Sequence, residues 1–181
     1  MLIAQKLKQD NIAEYILYMW QVEDIIRANK LDIDNINEQI ISKFGQSEEI
    51  KIEIKVWYEG LIEMMRLENK VENGHLVINE NTIKDLTDLH NQLLKMPAET
   101  EYISTYYKTL PFIVELRAKS KDKNIPELET CFAAMYGFLL MRLRKQDISG
   151  ETQAAISQIS MLLRLLSHKY KDNNEGKLEL N

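Results

Sequence analysis

Cysteine is almost missing from this chain: Cys131 is the only one among 181 residues. An internal disulfide and a thiolate metal cluster are therefore excluded, and a lone thiol fits a reducing cytoplasm. Proline and glycine are also scarce, at three and six residues, and most stand where one periodic segment gives way to the next. Long apolar runs are missing too. The longest, Cys131 to Met141, ends in Arg142 and Arg144 and is too short to span a bilayer. The opening Met1-Leu2-Ile3-Ala4-Gln5-Lys6 has no basic segment followed by an apolar run, so no signal peptide is expected. Positive charge is in deficit: the net charge is −5 and the pI about 5.3. That balance disfavours DNA, whose backbone attracts basic surfaces. The one basic stretch, Arg117 to Lys123, has no interleaved aromatics and reads as a helix C-terminus running into a solvated loop. No membrane or nucleic-acid partner is expected.

What is present is helical periodicity. A hydrophobic fraction of 45% and a charged fraction of 28% are globular values. A chain of this length typically buries roughly 68–70% of its unfolded surface, enough for one core. One helical domain is expected over 1–170, with a flexible polar tail over 171–181. The fold class is all-α, a bundle of six to seven mostly antiparallel helices.

The first predicted helix runs from Asn11 to Asn29, capped by Asn11, with Ile12, Tyr15, Ile16, Met19, Val22 and Ile26 on one face. A short second helix spans Asp34 to Phe44, and Gly45 ends it. The third, Ser47 to Glu72, begins ambiguously. Ile50, Ile52, Ile54 and Val56 alternate with charged residues as in a strand, but Trp57, Tyr58, Leu61, Met64 and Met65 continue at helical spacing with no turn between. Asn73-Gly74 marks a turn. Further helices are expected over Asn81 to Met96, Glu99 to Lys119, Pro126 to Gln146 and Ser149 to Tyr170. Pro111 should kink or split the fifth.

Four polar residues fall on these apolar faces: Glu23, Glu68, His90 and Arg142. A buried charge is costly unless paired, so Glu23 or Glu68 with Arg142 is the simplest internal ion pair. Two alternatives stay open: the helix ends reach water there, or the four groups line a pocket. A metal site finds little support. Di-iron bundles need two Glu-x-x-His tetrads on helices, whereas Glu72-Asn73-Gly74-His75 is the only one and its Asn-Gly turn breaks the helix. Glu23, Glu68 and His90 are the only set to inspect, and no metal ligand or cofactor is assigned. No phosphate loop, dinucleotide fingerprint or nucleophile elbow is present, so no catalytic residue is assigned. Cys131, on an apolar face, reads as an inert buried thiol.

Gly60 and Gly137 lie inside helices, where each costs about 1 kcal/mol relative to alanine. Close helix packing is the favoured reason; room for a ligand or partner helix beside Tyr58 or Tyr136 is the other. Tyr18, Trp20 and Ile25 flank the inward face of the first helix, so that helix is central or forms a dimer interface. Apolar residues on two faces of the last helix, Met161 and Leu165 against Ile159, Leu162 and Leu166, raise the same question, and a homodimer is considered.

Ile3-Ala4-Gln5-Lys6-Leu7 followed by Asn11-Ile12-Ala13-Glu14-Tyr15-Ile16-Leu17-Tyr18-Met19-Trp20-Gln21-Val22-Glu23-Asp24-Ile25-Ile26-Arg27-Ala28 resembles an uncharacterised helical bacterial family, a domain of unknown function known from Bacteroidetes. The resemblance implies a bacterial cytoplasmic protein and carries no activity, cofactor or catalytic residue. It directs attention to Tyr18, Trp20, Gln21, Glu23 and Asp24. The leading functional expectation is a non-enzymatic helical domain acting through protein contacts. The rival is a small-molecule or enzymatic pocket lined by Glu23, Glu68, His90 and Arg142.

Overall fold

A computed structural model of the protein describes residues 2–120 and 123–178. Among the described residues there are eight α-helices and no strand: α1 (Leu2–Asp10), α2 (Ile12–Ala28), α3 (Ile33–Gln39), α4 (Glu48–Leu67), α5 (Val77–Leu93), α6 (Thr100–Lys119), α7 (Glu127–Leu143) and α8 (Gly150–Asn174). A 3₁₀ turn over Ile41–Lys43 follows α3.

The count exceeds the expected six to seven because α1 was not legible. Nine residues are too few to hold a helix in isolation, and α1 is held by packing on α2, with Ala4 buried and Leu7 half-buried. The ambiguous start of the third predicted helix is helical. Ser47 caps α4 by accepting from the Ile50 N–H, while Ile52 and Val56, the residues that gave the strand-like alternation, point outward at 64% and 60% exposure. The helix ends at Leu67 rather than Glu72, and α5 begins four residues earlier than expected. Pro111 does not split α6. Pro111 and Tyr107, whose carbonyl loses its helical donor, are both exposed, so the lost bond falls on the solvent side of the helix. Of the segment expected as a tail, α8 takes in residues up to Asn174 and Leu178 packs on the core, while 179–181 lie outside the described residues. Of the basic stretch, 121 and 122 also lie outside them.

α2 is the central helix. It packs against α1, α4, α5, α7 and α8, which accounts for its apolar residues on several sides without a partner molecule. Its N-terminus is fixed by Asn11, which accepts from the Glu14 N–H, and by Ser167 of α8, which accepts from the Ala13 N–H at 3.2 Å. Ile16, Met19, Val22 and Ile26 are fully or almost fully buried, and the core cluster draws members from every helix. No helix among the described residues is long and apolar enough to cross a membrane.

Candidate functional site

The inward carboxylates have a local physical cause. Residue 76, at the N-cap of α5, is a leucine and has no oxygen with which to cap the helix. Two glutamates, one within α2 and one just after α4, do so instead. Glu68 accepts from the Val77 N–H at 2.7 Å, and Glu23 Oε1 accepts from the Leu76 N–H at 3.0 Å. Free N–H groups and the helix dipole favour negative charge there. Glu23 has no exposed surface, and its Oε1 also accepts from Asn79 Nδ2 at 2.7 Å.

The other oxygen of Glu23 meets His75. Nδ1 of His75 donates to Glu23 Oε2 at 2.6 Å. A carboxylate only accepts, so the proton sits on Nδ1, and the neutral form of the ring then carries its lone pair on Nε2. Among the described residues Nε2 has no hydrogen-bond partner, and it is not among the atoms sealed from solvent. The His75 ring stacks on Trp20 with centroids 4.0 Å apart and planes 8° from parallel. Trp20 in turn meets Tyr136 of α7 edge-on at 5.6 Å.

The turn carrying His75 is clamped to α2. Arg27 directs Nε and Nη2 to the Lys70 carbonyl at 3.4 and 3.1 Å, Nη2 also to the Gly74 carbonyl, and Nη1 to Asp24 at 3.1 Å. Gly74 has φ +80°, a left-handed conformation that a side chain would strain. Tyr136 donates to Asp24 Oδ2 at 2.6 Å. Burial first, then that hydrogen bond, pushes its hydroxyl well above the usual tyrosine range.

Together these groups wall a cleft of about 420 Å³ between α2, α7 and the α4–α5 turn. Its lining includes Trp20, Asp24, Arg27, Glu72, His75, Glu129, Tyr136 and Gly137. The size falls in the range of ligand sites. Two other grooves, beside α1, have no histidine on their walls.

The four residues singled out by sequence do not converge. The expected ion pair with Arg142 does not form. Arg142 is exposed, its guanidinium 5.9 Å from the Phe138 ring centroid in a different groove. It sits in the last turn of α7, where the helix reaches water. His90 is 13 residues along α5 from the end that Glu23 and Glu68 cap, roughly 20 Å away at 1.5 Å per residue. It is buried, with Nδ1 2.6 Å from the Tyr102 hydroxyl and its ring against Tyr102 and Tyr106. Burial holds its pKa below the ordinary value, against a smaller upward pull from Glu127. His90 and Arg142 thus lie apart from the cap that Glu23 and Glu68 form, each among other partners. No group of three or more His, Cys, Asp or Glu among the described residues is placed to hold a metal ion.

The glycine expectation is corrected as well. A Cβ on Gly60 or Gly137 would meet nothing within 4 Å, so close packing explains neither. Gly137 instead opens the cleft beside Tyr136, and Gly60 opens a groove beside α1. Cys131 is fully buried, and burial pushes its thiol up to about 12. His75 is the residue that sequence reasoning missed. Its signals were a turn at Asn73-Gly74 and an unpartnered glutamate on the face of α2, 52 residues away.

The family model described as a domain of unknown function, DUF4924, matches residues 1–177. The chain belongs to that family. No curated protein and no solved structure matches it. The family description assigns no activity, so the chemistry of the cleft has to be argued from its residues.

Proposed function

We propose that the cleft between α2, α7 and the α4–α5 turn binds a small molecule and that His75 is its acid–base group. The observation that carries this is the Glu23–His75 pair on the cleft wall. A wholly buried carboxylate fixes the ring tautomer and leaves Nε2 open toward solvent. Such a nitrogen can take a proton from a hydroxyl, amine or water held beside it. The lining has no serine, threonine, cysteine or lysine, which favours proton transfer over a covalent intermediate on those side chains. Gly137 supports the same reading. It is mid-helix and exposed with an open Cβ position, so its bareness serves the cleft rather than packing.

The test is chemical-shift mapping of the full chain with a fragment mixture, compared with Gly137→Leu. Fragments should perturb the amides of Gly74, His75 and Gly137 in the wild type and lose those effects when leucine fills the cleft. Perturbations confined to the grooves beside α1 would overturn the proposal.

Action through protein contacts, including a homodimer, is a second reading. Its support is the exposed apolar pair Tyr107 and Val114 on α6, beside α8 with Met161 40% exposed. Light scattering at micromolar concentration decides it: a dimer supports this reading and a strict monomer removes the homodimer. A cytoplasmic setting belongs to both readings and is supported by the lone buried thiol of Cys131.

A further inference from the structure

From the hydrogen-bonding capacity left over in the cleft we infer its ligand class: a small organic cation with N–H donors, such as a primary ammonium or guanidinium. The inference rests on the reading of the cleft given above. Its first support is the Glu23–His75 bond, which holds a proton on Nδ1, so that in the neutral form of the ring Nε2 is an acceptor. The Tyr136 hydroxyl donates its proton to Asp24, so toward a ligand it too can only accept. Glu72 and Glu129 are exposed on the cleft lining, one from the α4–α5 turn and one from α7, and neither has an ion-pair or hydrogen-bond partner among the described residues.

The charged donor is largely engaged elsewhere. Arg27, the one permanent cation of the lining, binds Asp24 and the Lys70 and Gly74 carbonyls. Trp20 Nε1 has no partner but is sealed from solvent, out of a ligand's reach. The free side-chain capacity of the charged and titratable groups is thus dominated by acceptors, two of them carrying full negative charge. An anion entering would meet repulsion from Glu72 and Glu129, and the one cation of the lining, Arg27, has only one hydrogen of Nη1 left to offer it, beside the neutral amide of Asn73. A cation would find acceptors on both sides and an aromatic ring, Tyr136, beside the open space at Gly137.

The experiment uses three probes of matched shape: phenethylamine, phenethyl alcohol and phenylacetate. Binding to the full chain at low salt is followed through the His75 and Gly137 amide shifts. Phenethylamine should bind about tenfold tighter than either other probe, a ratio set by two partly screened charges. Glu72→Gln/Glu129→Gln, at exposed positions, should bring its affinity to that of the alcohol, and added salt should do the same. If the alcohol or phenylacetate binds equally well and Gly137→Leu abolishes that binding, the cleft reading stands and the cation inference is overturned. If phenethylamine shifts neither amide, the cation inference is also overturned, and fragment mapping decides the cleft separately.

Discussion

Glu23 accepts from three groups, two of them sealed from solvent, so its removal should be among the most damaging single changes in this protein. In Glu23→Ala the Leu76 N–H and Asn79 Nδ2 lose their acceptor, as does His75 Nδ1. Leu76 and Asn79 have no exposed surface. A buried donor left without a partner costs about 1–3 kcal/mol. Two fully buried donors and one half-buried donor, with some relaxation of the α4–α5 turn, give a loss of about 3–5 kcal/mol. For a domain of this size that lowers the thermal midpoint by roughly 6–20 °C. Glu23→Gln should cost clearly less. The amide oxygen can still accept from Leu76 and Asn79, and the amide nitrogen can donate to His75 once that ring moves its proton to Nε2. The assay is urea unfolding of wild type, Glu23→Ala and Glu23→Gln followed by helical circular dichroism. A loss below about 1 kcal/mol for the alanine variant, or an equal loss for both variants, would refute this account of Glu23.

Three further outcomes follow from individual residues. Gly137→Ala should stabilise the fold by up to about 1 kcal/mol, because alanine is the better helix former and its Cβ meets nothing, and denaturation midpoints will show it. His90 is held neutral by burial, so between its lowered folded pKa and the ordinary 6.5 the unfolded chain binds the extra proton. Stability therefore falls as pH drops below about 6.5, and His90→Gln should flatten that slope in urea titrations at two pH values. The Cys131 thiol, fully buried and pushed up to about 12, should react with a thiol reagent only as fast as the chain opens. Rapid labelling of the folded protein would contradict its position.

The sequence made the helices legible because their apolar spacing is strong. The α2 face of Ile12, Ile16, Met19 and Ile26 is buried as that spacing required. It failed where tertiary packing outweighs local preference, as in nine-residue α1, and where a poor residue lies on the solvent side of a helix, as at Pro111. For the site, the sequence revealed that Glu23 and Glu68 were out of place but not why. Both cap a helix that carries leucine at its own cap position, and such capping from a distance leaves no spacing to read. The link between Glu23 and His75 joins α2 to a turn 52 residues away, so periodicity within one helix could not show it. Arg142 looked inward because the apolar face of α7 continues past the point where the helix leaves the core.

The central claim is that Glu23 holds the proton of His75 on Nδ1 and leaves Nε2 as a lone pair facing the cleft. Long-range ¹⁵N correlation of the His75 ring tests it directly. In the wild-type protein, at a pH where the ring is neutral, Nδ1 should be the protonated nitrogen. Nε2 should be the bare one and should shift when a cleft ligand binds, and Glu23→Gln should reverse the tautomer. A ring protonated on Nε2 in the wild type, or a tautomer indifferent to Glu23→Gln, would contradict the account.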